Sequence, residues 1–442
     1  MRFFPLGLAA LAGCQDIDVH LAHVSEELTL GRDTGGDTGE GQVDSAIPAD
    51  TSDTGDTADS GLAAPAHVWG PGPGAALLPA ETEVLRSVFV VDFDGDGLLD
   101  VVTFGLVNDA LDYDVHLRVL RGNGAGVEAA TDTVIGRGYA TFPSLADITG
   151  DGWLDVVSVA PDGARVVPCV AGVPGEPLTT LPFGGAAMAV VPADLDGDGV
   201  LDLLTVGNGK VGADAIAEET KFADGTLAAG PTGSLGSPLF PYSLVPVRLS
   251  ATLPPVVVVG TGKPVSGGDP AVQEAGLHPS VLVATALSHD RYSDDGAWFG
   301  YGQDLDGDGL EELVTNGTDG LQVWNPATST PAFVRLNDFS TAPVGLVRAD
   351  LDGDGADDAL EYLAYTVSTD HSYSQTVRFS ASLVVGGAHQ PPTSADFDIA
   401  PMSALSGVSP LAAGDLDGDA CAELVFVDAH ANVWLAPGEC GG

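Results

Sequence analysis

Basic residues are scarce in this chain. Fifteen Lys and Arg face 63 Asp and Glu, for a formal net charge of −48. Such a field repels phosphate backbones and anionic lipid headgroups, so nucleic acid and acidic membrane surfaces are excluded as partners. No segment keeps a helical apolar period over a dozen residues. Beyond the N-terminus, no stretch is long and apolar enough to span a bilayer. Catalytic signatures are missing as well: there is no Gly-x-Ser-x-Gly elbow, no His-Glu-x-x-His, no phosphate loop and no dinucleotide fingerprint. The nine histidines are scattered. A triad gathered from distant segments would leave no such trace, so an enzyme stays open on this point.

Glycine and proline, by contrast, are plentiful at 59 and 30 residues. One acidic motif recurs. DFDGDGLLD begins at Asp92, DITGDGWLD at Asp147, DLDGDGVLD at Asp194, DLDGDGLEE at Asp304, DLDGDGADD at Asp350 and DLDGDACAE at Asp415. Successive starts lie 55, 47, 110, 46 and 65 residues apart. The 110 is twice 55, and a copy without charge fills the gap: residues 191–209 align with 245–262 after one deletion. In that degenerate copy Arg248 replaces the first aspartate, and Ser250 and Thr252 the next two. Seven units at a fixed period mark a repeat architecture. Each unit has an apolar run before the motif (Val88-Phe89-Val90-Val91) and a β-branched run after it (Val156-Val157-Ser158-Val159), then a further strand such as Leu321-Gln322-Val323-Trp324. These spacings predict an all-β, seven-bladed β-propeller over 65–442. The last unit stops one strand short. His67-Val68-Trp69 and the 75–78 segment are expected to provide its outer strand, closing the ring without an open edge.

Carboxylates crowded this closely repel, by roughly 4 kcal/mol for two charges about 4 Å apart at an effective dielectric near 20. A cation resolves the conflict. Ca²⁺ takes six to eight oxygens from carboxylates, backbone carbonyls and water. In the first loop Asp92, Asp94, Asp96 and Asp100 are the candidate side-chain ligands, with the Leu98 carbonyl completing the shell. An apolar second residue (Phe93, Ile148, Leu195, Leu305, Leu351, Leu416) is expected to pin each loop to the core. An EF-hand is excluded: the twelfth residue is Thr103, Ser158, Thr205, Thr315, Glu361 or Phe426 instead of a bidentate glutamate, and strands flank the loops.

These six motifs resemble the FG-GAP (VCBS) repeats of integrin α subunits and bacterial surface proteins. The resemblance implies a seven-bladed propeller whose loops join the first and second strands of a blade. It also implies Ca²⁺ held by the first, third, fifth and ninth side chains and the seventh carbonyl. The second loop would then use Asp147, Thr149, Asp151, Asp155 and the Trp153 carbonyl, and the third Asp194, Asp196, Asp198, Asp202 and Val200. The fourth would use Asp304, Asp306, Asp308, Glu312 and Leu310, and the next Asp350, Asp352, Asp354, Asp358 and Ala356. The last would use Asp415, Asp417, Asp419, Glu423 and Cys421. Up to six structural Ca²⁺ ions would bring the charge from −48 to about −36. Thr149 removes one charge and Ala420 replaces a glycine, so weaker binding is expected at those two loops. The Phe-Gly pair itself survives at Phe183-Gly184 and Phe299-Gly300.

The chain begins MRFFPLGLAALAGCQD. One arginine, an apolar run and small residues before a cysteine predict a signal peptide over 1–13. Leu11-Ala12-Gly13-Cys14 resembles a lipoprotein box, which implies lipidation of Cys14 and anchoring in the cell envelope. Gln15 at the next position favours the outer membrane; plain secretion is the alternative. Residues 14–64 are rich in Asp, Thr, Gly and Ser, cannot bury a core and read as a disordered tether. Cys421 and Cys440 are centred on one hairpin and form a candidate disulfide suited to an oxidising compartment, while Cys169 is expected in the core. Arg291, Tyr292, Trp298 and Tyr301 gather in 288–302 and form a candidate ligand face; packing between blades is the alternative for Trp298 and Tyr301. The reading is a monomeric, non-catalytic surface module that binds an extracellular protein or glycan. A polysaccharide lyase or hydrolase on the same scaffold is the rival.

Overall fold

The structure is a computed structural model that describes residues between His67 and Cys440. The longest internal stretches outside it are 262–270, 286–299, 325–333 and 400–409. The described residues all fall in one compact unit, Leu62–Gly442. The expected signal segment, Cys14 and the 14–64 tether lie outside the described residues.

The described residues contain no helix and build six four-stranded sheets and one three-stranded sheet. The first sheet runs up and down through Glu83–Val91, Asp100–Asp109, Asp112–Leu120 and Thr131–Arg137, every pair antiparallel. The second has Ser144–Ala146, Asp155–Ala160 and Gly163–Val167, followed by a small hairpin of Cys169–Val170 with Val173–Pro174. The third, fifth and sixth repeat the four-strand order of the first, starting from Gly185–Ala193, Gly300–Gln303 and Pro343–Ala349. The seventh consists of Leu411–Gly414, Glu423–Val427 and Val433–Ala436, and its edge is completed by Ala76–Leu78 from the other end of the unit. His67–Trp69 pairs in turn with Gly438–Cys440. Ala76–Leu78 thus takes the place expected of it, whereas His67–Trp69, expected in the same outer strand, forms a separate two-stranded sheet with the last strand of the chain.

Central strands such as Asp155–Ala160 and Glu423–Val427 are buried along their whole length. Both of their faces meet neighbouring sheets, so they read as continuous apolar runs instead of alternating ones. The first strand of each sheet lies against that of the next from Gly185–Ala193 through Pro241–Val247, Gly300–Gln303 and Pro343–Ala349 to Leu411–Gly414, which also meets Glu83–Val91 of the first sheet. Phe93, Val102, Val156 and Val167 share one cluster joining the first two sheets. A larger cluster spans the sixth, seventh and first sheets, with Tyr362, Phe379, Phe426 and Val88 fully buried. Phe379 and Phe426 pack with their ring centroids 4.8 Å apart and their planes tilted by 57°. Each such side chain contributes about 1.5–3 kcal/mol by leaving water. The build is β-propeller-like.

Two features go beyond the repeat pattern. The connection at 108–114 is a hairpin in which Asn108 pairs with Tyr113 and Asp109 with Asp112; likewise Gly207 pairs with Ile216 and Asn208 with Ala215 within 207–221. Polar residues there extend the ladder because cross-strand hydrogen bonds outweigh weak strand propensity. The degenerate unit also departs from the meander. Its sheet order is Pro241–Val247, Val256–Thr261, Val281–Thr285, Ala271–Glu274, and the middle pair is parallel.

Candidate metal centres

Each acidic motif sits between the first and second strands of its sheet, as the resemblance implies. Its second residue is the anchor: Phe93, Ile148, Leu195, Leu351 and Leu416 are all buried. The first aspartate folds the turn by accepting backbone N–H groups. Asp92 Oδ1 takes Gly95 N at 2.8 Å and Oδ2 takes Gly97 N at 3.0 Å. Asp194 and Asp415 repeat this with Gly197 and Gly199 and with Gly418 and Ala420. The fifth residue accepts from the seventh in Asp96–Leu98, Asp151–Trp153, Asp198–Val200 and Asp419–Cys421. Positive φ angles make this turn possible. Gly95 stands at +73° with the Trp153 ring from the second loop packed where a Cβ would project. Ala420 holds the glycine geometry at +70°, at a cost of roughly 1–2 kcal/mol.

The ninth residue has a second role that its spacing does not reveal. Asp100 is buried; its Oδ2 accepts from Phe93 N at 3.1 Å and its Oδ1 from Gly122 N at 2.8 Å, beyond the third strand. Asp155 does the same with Ile148 N, Thr149 N and Cys169 N at 3.0, 2.9 and 2.9 Å. Asp358 and Glu423 accept from Leu351 N and Leu416 N. These carboxylates therefore clamp the loop to its own sheet. Burial raises Asp100 and Asp155 above the usual carboxylate range against those hydrogen bonds. Burial, helped by Glu219, carries Asp202 to about 6, and burial with the charges of Asp417, Asp415 and Asp419 carries Glu423 to about 7. A nearby cation is what such groups need to stay ionised.

Among the described residues, three loops bring carboxylate oxygens within 4.8 Å of one another: Asp92 with Asp94 and Asp96, Asp194 with Asp196 and Asp198, and Asp415 with Asp417 and Glu423. Asp94 Oδ1 and Asp202 Oδ2 are buried and lack a hydrogen-bond partner. All-oxygen donors with buried acceptors still open fit a hard cation such as Ca²⁺. Asp147, Asp151 and Asp155 do not form such a group, in line with Thr149 standing at the third position. Asp306, Asp308, Asp352, Asp354 and Ala356 lie outside the described residues, so the fourth and fifth loops are seen only at their ends, Asp304, Leu310 and Glu312, and Asp350 and Asp358.

Cys421 is disulfide-bonded; the side chain of Cys440, its expected partner, lies outside the described residues. Cys169 is a free, fully buried thiol, pushed up to about 12 chiefly by burial. Of the candidate ligand face, Arg291, Tyr292 and Trp298 lie outside the described residues. Tyr301 packs its ring against a cluster of Val314, Val323 and Ala359, and its hydroxyl is buried. It is thus held between sheets, the alternative noted for it, although it also borders a cavity of about 330 Å³ with Arg248, Glu311 and Arg348.

An FG-GAP-like repeat is recognised at residues 92–158, which takes in the first two acidic loops. No curated protein matches the chain. Among solved structures it is similar to an Agrocybe aegerita lectin that recognises non-reducing terminal N-acetylglucosamine (18% identity, TM-score 0.35, covering 82% of this chain and 80% of that one). It is also similar to the Bacillus licheniformis rhamnogalacturonan lyase PL11 (13% identity, TM-score 0.42, 83% and 75%). A third is the V. cholerae biofilm matrix protein Bap1 (12% identity, TM-score 0.28, 85% and 90%). Likeness at this level assigns no activity. One FG-GAP-like repeat in a β-rich, propeller-like protein is what the comparisons establish.

Proposed function

We propose that the protein is a calcium-stabilised, non-catalytic binding module of the cell envelope, in which seven sheets close into a ring. Closure is supported by the last first-strand, Leu411–Gly414, packing on Glu83–Val91 of the first sheet, and by Ala76–Leu78 completing the seventh sheet. Calcium is supported above all by the first loop, where three carboxylates converge and the buried Asp94 Oδ1 has no partner. The ions are structural: they neutralise turns that start the central strands, and the ninth carboxylates tie those turns to the sheets. Lipidation of Cys14 and the 14–64 tether would present the module away from the membrane, and a Cys421–Cys440 disulfide would staple its seam. The ligand is an extracellular glycan or protein.

A glycan array together with a turnover screen on polysaccharides, both in calcium, tests the reading. Retention of a ligand without cleavage is expected. Turnover of a polysaccharide with no retained ligand would overturn it in favour of a lyase or hydrolase.

A further inference from the structure

Among the described residues, two basic side chains sit on the third residue of an acidic loop. Arg121 Nη1 lies 2.7 Å from Asp94 Oδ2, and Lys221 Nζ contacts Asp196 Oδ2. Asp94 and Asp196 are both third residues of their loops. The cations are equivalent too. Val101 pairs with Leu120 and Leu203 with Thr220, so each cation follows the cross-strand partner of its loop's tenth residue. In the second sheet Val156 pairs with Val167, and the corresponding residue is Pro168; the third loop position there is the uncharged Thr149. In the seventh sheet Leu424 pairs with Ala436 and Pro437 follows.

Arg121 also reaches the adjacent sheet, where Nη2 donates to Ala171 O at 3.4 Å. Gly172 lies over Asp94 so closely that a Cβ on it would come within 2.8 Å of Asp94 Cβ. Asp94 is 9% exposed, and the oxygen that Arg121 does not engage is the buried, unpartnered Oδ1. One oxygen therefore faces a fixed cation, and the other is left for a mobile one.

We propose that Arg121 and Lys221 are resident counter-cations that hold the first and third loops together when no metal ion is bound, an inference that rests on the calcium reading above. A dication arriving among Asp92, Asp94 and Asp96 draws on the same carboxylate and repels the guanidinium. Each resident cation therefore stabilises the ion-free loop more than the loaded one, and by linkage it weakens ion binding by the same factor. The loops fall into two classes. The first and third keep their shape in chelator, whereas the loop beginning at Asp415, which has no such cation among the described residues, loosens first.

The full chain carrying Arg121→Gln or Lys221→Gln, compared with wild type by calorimetry in chelator and in saturating calcium and by calcium titration, tests the proposal. In chelator both variants are expected to melt earlier than wild type, by a smaller margin in calcium, and one class of sites binds calcium roughly fivefold tighter or more. Arg121→Lys keeps the charge and restores most of the ion-free stability. Equal losses in both conditions with unchanged affinity would reduce Arg121 to a tie between sheets and overturn the proposal. Weaker binding would make it a positioning group for Asp94 and overturn it equally. No calcium uptake by wild type would sink the calcium reading itself, and the proposal with it.

Discussion

Removal of calcium is expected to lower the melting temperature by about 10 °C. At ten times its Kd, one bound ion adds about 1.4 kcal/mol to stability, so six would add about 8 kcal/mol. Unfolding entropy near 2.1 cal/mol/K per residue, taken over the roughly 380 residues of Leu62–Gly442, converts that into the stated fall. The direction follows from charge. Among the described residues, three loops hold clustered carboxylates within 4.8 Å, and stripping the ion leaves them to repel one another and to bury charge without compensation. The loss is largest at low ionic strength, because salt screens the exposed members of each cluster. Scanning calorimetry in chelator, then after calcium is restored, measures it; coincident transitions would refute the effect.

Asp155→Ala is expected to cost about 4 kcal/mol, and the cost should persist in chelator. Asp155 is fully buried, and its two oxygens accept from Ile148, Thr149 and Cys169. Alanine leaves these three N–H groups without a partner, and each orphaned buried donor costs about 1–3 kcal/mol. Loss of an ion ligand alone would instead vanish once calcium is withdrawn. Urea unfolding midpoints in calcium and in chelator separate the two. A loss seen only with calcium would show that Asp155 serves the ion and not the sheet.

The strands flanking each loop were legible in the sequence because a fixed apolar run on both sides of a fixed turn leaves little conformational choice. Phe93, Ile148, Leu195, Leu351 and Leu416 were legible as anchors for the same reason, and all are buried. Leu78 could be placed by counting, since the last unit lacked one strand. The clamp formed by the ninth carboxylate was not legible. Its donors, Gly122 for Asp100 and Cys169 for Asp155, lie 22 and 14 residues away and are brought in only by the third strand. Arg121 and Lys221 were hidden likewise: no motif marks them, and their equivalence exists only in the register of two strands. The parallel pair of Val256–Thr261 with Val281–Thr285 was missed because the intervening residues form a further strand, Ala271–Glu274, which takes the edge of the sheet. Asn108 and Asp109 read as loop by composition, yet backbone pairing to Tyr113 and Asp112 makes them strand.

Anomalous diffraction from crystals grown in calcium tests the central claim most directly. The account predicts a peak among the carboxylates of Asp92, Asp94 and Asp96, with counterparts at Asp194, Asp196 and Asp198 and at Asp415, Asp417 and Glu423. Ordered water alone at all of these positions, in crystals replete with calcium, would contradict it.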